Sequence, residues 1–376
     1  MTYAYTNKAL RFFAGLADAV GGIFFREKEI TAGRNAPLKI LVIKVDQLGD
    51  CFLSTPIFEY LRAVFPRASI DVVCQKSSMP IFEHNPFITR IIPFNYKRMH
   101  RGKHPAGFGD SLRFIKEIRR YKYDMVIDLR GEPFAALLGF LSGAQDRVGF
   151  EKEEIGGFFY TCRLCYDRNE HEIKRYERVI AALGGRTSAW EPRVYLTQEE
   201  EEQGRRLITP FAKQGYFIVH PGAGLIYKIW PKERFAEVVK KTLAEFSSNA
   251  VFLGGKDERE IGDSIARIVS DSRAYNMVGQ FSIRESYIVI SHAKAFLGND
   301  SVLVHFAGAL GVPTVVLTNA VVNEGRWRPL GRRVTVITGN GKNHICAFAL
   351  CPYPCPNMQA IAIRDVYEKW RATLSA

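Results

Sequence analysis

The stretch "KILVIKVDQLGDCFLSTPIFEYLRAVFP" runs from Lys39 to Pro66. An apolar run, Ile40 to Ile43, gives way to Asp46 and then to Gly49 and Asp50. A helix-like stretch follows, with Ser54, Thr55 and Pro56 near its start and its body from Pro56 to Phe65. A short apolar run of this kind is the mark of a strand buried on both faces. Acids and a glycine directly after it mark the strand's carboxyl end, where parallel α/β sheets hold their ligands.

The pattern repeats along the chain. Strands are expected at Ser69 to Gln75, Ile88 to Phe94 and Asp124 to Arg130, with helices at Ser111 to Tyr121 and Pro133 to Leu141. It pauses between Gly184 and Glu202, where Gly, Pro and an acidic run suit an interdomain connection. It then restarts with "GYFIVHPGAG", a helix from Lys232 to Glu245, "NAVFLGGKDE", helices from Glu258 to Val269 and Ile283 to Ser291, "KAFLGND", a helix from Val302 to Leu310, and "PTVVLT". Alternating buried strands and helices imply two successive α/β domains with doubly covered parallel sheets and a cleft between them. The expected division is a leader and linker over 1–36, an N-terminal domain over 37–195 and a C-terminal domain over 196–376.

The 376 residues carry a net charge of +13 from 52 Lys and Arg against 39 Asp and Glu, which implies an anionic partner or a solvated basic face. The densest basic segment, Lys97 to Lys122, contains no recognisable nucleic-acid-binding motif, so an anionic substrate or membrane surface is the better expectation. Seven cysteines without a regular framework fit a reducing compartment. Cys346, Cys351 and Cys355 beside His344 offer metal-ligand chemistry, but their spacing is not that of a zinc finger, and no metal is assigned. The apolar stretch Phe12 to Phe25 is too short to span a bilayer, and its helical stripe suits an interfacial helix or one packed on the protein's own body.

Chemistry concentrates where strands end. Gly222 and Gly224 follow a strand directly, but Tyr227 stands where a dinucleotide fingerprint needs Gly or Ala, and the Walker pattern is absent. The loop still suits backbone approach to a phosphate, with Lys228 as a mobile cation. After "FLGG", Asp257 or Glu258 could grip ribose hydroxyls or merely favour a helix dipole. In "FLGNDSVLVHFAGALGVP", Asn299, Asp300 and Ser301 stop a strand and open a helix whose first-turn N–H groups form an anion site. Ser301 and His305 share one face of that helix.

These segments, in order and with "YDMVIDLRGEPFAALLGFLSGAQDRVGF" and "RWRPLG", resemble glycosyltransferase family 9, the bacterial lipopolysaccharide heptosyltransferases, over about Lys39 to Gly331. The resemblance implies a GT-B fold, two Rossmann-like domains facing across a cleft, with a last helix that can return to the first domain. It implies inverting transfer without a catalytic metal or cofactor, from ADP-heptose to Kdo or heptose on lipid A, by an enzyme at the inner face of the cytoplasmic membrane. It assigns the base to Asp50, phosphate binding to Lys228, and donor contacts to Gly222, Gly224, Asp257, Glu258, Asn299, Asp300, Ser301 and His305. Asp46, Gly49 and Arg130 fall on the acceptor side. Val302 replaces the usual Gly after Asn-Asp-Ser, and "NAVVNEGRW" replaces the usual turn after "VVLT", which leaves the donor's sugar and base open. Rival readings are a same-fold transferase using another nucleotide sugar, a non-catalytic nucleotide- or glycan-binding protein, and a nicotinamide oxidoreductase.

Overall fold

The computed structural model describes residues 30, 38–94, 108–151, 157–319, 324–340 and 351–375. The expected leader helix, Lys97 to residue 107 of the basic segment, His344 and Cys346 lie outside them. The chain divides into two compact units, Met1–Tyr195 and Leu196–Ala376.

The first unit holds strands β1 (Lys39–Lys44), β2 (Ser69–Gln75), β3 (Arg90–Phe94), β4 (Met125–Asp128), β5 (Asp146–Glu151) and β6 (Cys162–Cys165). Its longer helices are α1 (Leu48–Leu53), α2 (Pro56–Val64), α3 (Phe108–Arg120), α4 (Pro133–Leu141) and α5 (Glu172–Ala182). The strands form one parallel sheet in the order β3-β2-β1-β4-β5-β6. β1 is central and buried at every position after Lys39, which is why its sequence is an unbroken apolar run.

The second unit holds β7 (Tyr216–His220), β8 (Asn249–Phe252), β9 (Ala274–Asn276), β10 (Phe296–Asn299), β11 (Thr314–Asn319) and β12 (Val334–Gly339). Its longer helices are α6 (Gln198–Ala212), α7 (Lys232–Glu245), α8 (Arg259–Val269), α9 (Ile283–Ser291), α10 (Val302–Ala309) and α11 (Ile363–Ser375). This sheet is also parallel, in the order β12-β11-β10-β7-β8-β9. Counted from its own first strand, each sheet therefore has the doubly wound order 3-2-1-4-5-6. The order reverses beside β1 in one unit and beside β7 in the other, so each unit has its crevice at the carboxyl ends of those strands.

One local feature differs from the sequence reading. The "QLGDC" stretch, Gln47 to Cys51, expected as a strand-end loop, instead opens a short helix, Leu48–Leu53, that sets Asp50 in its first turn. Cys162 and Cys165 lie on β6, where residues three apart face opposite sides of the sheet. The last helix, α11, packs on the core of the second unit. Its Trp370 is fully buried in the core under β7, edge-on to Phe217 at 5.5 Å, with Nε1 donating to Thr242 Oγ1 at 3.0 Å. Among the described residues no helix is long and apolar enough to cross a membrane.

Truncating a fully buried tryptophan removes its transfer free energy and leaves a cavity. Trp370→Ala should therefore cost the second unit about 3–5 kcal/mol in urea unfolding. A loss below about 1 kcal/mol would show that α11 contributes little to that core.

Candidate active site

In the first unit, the carboxyl ends of β1 and β4 lie side by side, with Ile43 paired to Asp128. Asp46 accepts from Arg130 Nη1 at 2.8 Å through Oδ1 and from Lys44 Nζ at 3.1 Å through Oδ2. Arg130 also donates to the Val45 carbonyl at 2.5 Å and to Glu132 at 2.6 Å. Asp128 shapes the loop that presents Arg130: it accepts from the backbone N–H groups of Arg130 and Gly131 at 2.8 and 3.0 Å, and from Tyr160 Oη at 2.5 Å. Gly131 has φ 67°, a conformation that glycine adopts without steric cost.

Lys44, the last residue of β1, is fully buried. Its ammonium donates to Tyr176 Oη at 2.8 Å as well as to Asp46. Tyr176 donates to Glu172 at 3.3 Å, and Arg175 Nη1 lies 2.7 Å from both Glu172 oxygens. Burial works against the charge on Lys44, but the pull of Tyr176, Asp46, Asp50 and Glu172 outweighs it and raises its pKa well above the ordinary lysine value. Asp50 is half-buried on α1, with the half-buried Gly49 beside it, and its charge is felt by Lys44, Cys51 and Tyr176. Sequence reasoning found Asp46, Gly49, Asp50 and Arg130 but missed Lys44, Glu172, Arg175 and Tyr176. The available signal was a lysine inside an otherwise apolar strand, since buried lysines need partners.

In the second unit the corresponding ends belong to β7 and β10, with His220 paired to Gly298. A Cβ on Gly298 would sit 2.9 Å from the His220 carbonyl oxygen, so only glycine allows this approach. Asn299 is fully buried and committed to the loops: Nδ2 donates to the carbonyls of Pro221 and Gly222 at 2.8 and 3.2 Å, and Oδ1 accepts from Trp230 N at 3.1 Å. It acts through the loops it ties, not as an exposed ligand. Lys228 and Asp300 form an ion pair at 2.6 Å, with Lys228 19% and Asp300 9% exposed. Ser301 caps α10 by accepting from Leu303 N at 3.2 Å, and His305 is buried one turn further along.

The two candidate acids after β8 separate cleanly. Glu258 folds under the glycine loop and accepts from Gly255 N at 2.7 Å, whereas Asp257 is exposed. A Cβ on Gly222 would lie 2.0 Å from Glu258 Oε1, so glycine at 222 is what lets the Glu258 carboxylate rest in this position. A Cβ on Gly224 would meet open space. Cys351 and Cys355 are buried with sulfurs 3.2 Å apart. Burial opposes ionisation of Cys355, but hydrogen bonds from Cys351, from the Asn357 and Met358 backbone and from Asn319 lower its pKa. Among the described residues no cluster of three or more His, Cys, Asp or Glu is arranged to hold a metal.

The model of glycosyltransferase family 9 (heptosyltransferase) matches residues 111–356. The chain is 25% identical over 287 residues to lipopolysaccharide heptosyltransferase 3 of Escherichia coli, covering 75% of this chain and 83% of that protein. It is 26% identical over 292 residues to lipopolysaccharide heptosyltransferase 2 of Salmonella typhimurium, covering 74% and 82%. Among solved structures, E. coli ADP-heptose lps heptosyltransferase II superposes with a TM-score of 0.72 at 22% identity, over 90% of this chain and 99% of that one. A family 9 glycosyl transferase from Veillonella parvula gives 0.74 at 22% identity, over 92% and 99%. The fold is thus the GT-B fold of these structures.

Removing the Asn299 amide would strand buried carbonyls and an N–H without partners. Asn299→Ala should cost about 3 kcal/mol in chemical unfolding. Native-like stability in that variant would mean that water or a neighbouring group replaces the amide.

Proposed function

The chain belongs to glycosyltransferase family 9, and we propose that it moves a heptose from ADP-heptose to the inner core of lipopolysaccharide, with Asp50 as general base. The acceptor in this reading is a Kdo or heptose on lipid A, bound by the first unit. The donor is bound by the second. The observation that carries the reading is a half-buried acid in the first turn after the central strand, beside a buried network of cations. That network is of the kind that keeps a carboxylate ionised and oriented.

The chemistry follows from the groups available. An acceptor hydroxyl attacks the anomeric carbon as Asp50 takes its proton, which makes a weak nucleophile competent. The bond from that carbon to the diphosphate breaks on the opposite side, so the configuration inverts and ADP departs. The departing charge needs preorganised positive groups. Lys228 and the first-turn N–H groups of α10 supply them without calling on a metal. The Lys228–Asp300 pair means that the cation is already held in place before a diphosphate competes for it. Asp46 and Arg130 serve the acceptor side as an ion pair. Asp257, the exposed acid of its pair, is the better one for ribose hydroxyls.

The described part of the basic segment supports an anionic acceptor or lipid surface, and with it work at the inner face of the cytoplasmic membrane. On α3, Phe114 and Ile118 turn into the core, while Arg113, Lys116, Arg119 and Arg120 are exposed. A second reading, a transferase using another nucleotide sugar, is favoured by Val302, whose side chain opens α10 where the family usually has glycine. A panel of nucleotide sugars in a transfer assay separates the two.

Asp50→Asn should lower transfer by about 10²- to 10⁴-fold while calorimetric ADP binding is kept. Near-native turnover in that variant would remove Asp50 as the base. Lys228→Ala should weaken donor use, read as a raised KM for ADP-heptose together with a reduced kcat. If both constants stay native, Lys228 has no phosphate role.

A further inference from the structure

We infer that Cys351 and Cys355 are a thiol-modification site: a hydroperoxide closes them into a reversible disulfide, which fastens the C-terminal segment beside the turn that carries Lys228. The inference stands apart from the transfer reaction, which gives neither cysteine a role.

The Cys351 thiol donates to the Cys355 sulfur, with the two atoms 3.2 Å apart. Nonbonded carbons pack at about 3.5–4.0 Å and sulfur is larger, so this is a directed contact rather than two small side chains filling a core. A disulfide holds its sulfurs about 2.05 Å apart, so closure asks for a shift of about 1 Å, within reach of side-chain rotation. Pro352, Tyr353 and Pro354 are the residues between the two cysteines. Cys355 directly precedes the short helix Pro356–Gln359, and its sulfur accepts from Asn319 Nδ2 at 3.3 Å. The same Asn319 nitrogen donates to the Tyr227 carbonyl at 3.0 Å, and Asn357 Nδ2 donates to Asn319 Oδ1 at 2.9 Å. Tyr227 is the residue before Lys228, so one side chain, Asn319, joins the cysteine pair to that turn.

Chemistry separates this pair from the buried cysteines of the first unit. Cys51 spends its thiol on the carbonyls of Lys44 and Asp46, both at 3.5 Å, and burial pushes it up to about 12. Burial pushes the Cys74 thiol up as well. Thiols of that kind are inert, because the thiolate is the reactive form. At Cys355 burial also opposes ionisation, yet the hydrogen bonds it receives outweigh burial and favour the thiolate. In a reducing compartment the pair rests as two thiols. The first sulfur to meet a hydroperoxide attacks its terminal oxygen, the O–O bond breaks, and a sulfenic acid and an alcohol or water result. The second sulfur attacks the first, the S–O bond breaks, and the oxygen leaves as water. Two thiols and one hydroperoxide thus give one disulfide, one alcohol or water, and one further water. The two electrons that reduce the peroxide come from the sulfurs, and an added dithiol returns them by exchange.

The test uses the reduced full-length chain and hydrogen peroxide. After treatment the remaining thiols are blocked in acid-quenched denaturant, and the chain is mapped by peptide mass spectrometry. The peptide spanning Cys351 and Cys355 should lack two hydrogens and carry no blocking group, and dithiothreitol should restore both thiols. The unfolding midpoint of the oxidised protein should lie about 2 °C or more above that of the reduced protein, since the cross-link removes freedom from the unfolded chain. Cys351→Ser and Cys355→Ser should each lose both effects. Peroxide-treated protein with both cysteines blocked, with either one joined to a different cysteine, or with either one carried on to sulfinic acid overturns the inference. A disulfide that forms without raising the midpoint overturns the fastening of the segment. Should the serine variants fail to fold, the peptide map of the native chain decides by itself.

Discussion

A strand buried on both faces can carry polar chemistry only where it ends, and β1 ends on Lys44. The four residues before it are fully buried and apolar, so they offer the sheet nothing but packing. Lys44 is equally buried, and its ammonium is tolerated because acids and a phenol surround it. From that point the polar architecture of the first unit spreads in two directions. One runs through Asp46 to Arg130 and Glu132, the other through Tyr176 to Glu172 and Arg175. Remove the central cation from this scheme and two groups of charges lose their common member.

The second unit uses the same strand order for a different electrostatic purpose. Its strand ends carry glycines and backbone groups, and the cation Lys228 is already paired to Asp300. Close backbone approach is enforced sterically at Gly298, where a Cβ would crowd the His220 carbonyl, while Gly222 leaves room for the Glu258 side chain. Backbone N–H groups beside a paired cation suit an anion that arrives with its own charge. A buried lattice of alternating ions suits a group that must gain and release a proton. The two crevices thus differ in kind, although the topology that positions them is the same.

The fold was legible where burial leaves the strongest imprint on sequence. β1, β2, β4, β7, β8, β10 and β11 are central or nearly so, and their apolar runs announce them. β6, β9 and β12 are half-exposed edge strands with mixed residues, and no strand was expected there. The same holds for β5, whose "DRVGFE" opens on two charges although most of it is buried. The site was legible as residue types at strand ends. What escaped was connectivity. Tyr176 meets Lys44 across 132 positions of chain, and no local pattern encodes such a pairing. Nor could spacing separate the adjacent acids Asp257 and Glu258 in function: the deciding fact is the space under Gly222, which only the Glu258 carboxylate fills.

The tail of the chain supplies the last constraint on the second crevice. Lys228 sits in a short turn, Ile226–Lys228, that cannot hold its own position. Asn319 donates to the Tyr227 carbonyl at 3.0 Å, and Asn357 in turn donates to Asn319 at 2.9 Å. Trp230 Nε1 donates to the Ile361 carbonyl at 3.2 Å, and Arg234 reaches the carbonyls of Gln359 and Ile361. The turn is therefore braced by residues more than ninety positions later in the chain. Packing of α11 on this unit is what keeps those braces in place, since Trp370 anchors the segment to the core under β7. The position of the phosphate-binding candidate is thus a property of the C-terminal segment as much as of the glycine loop in which it lies.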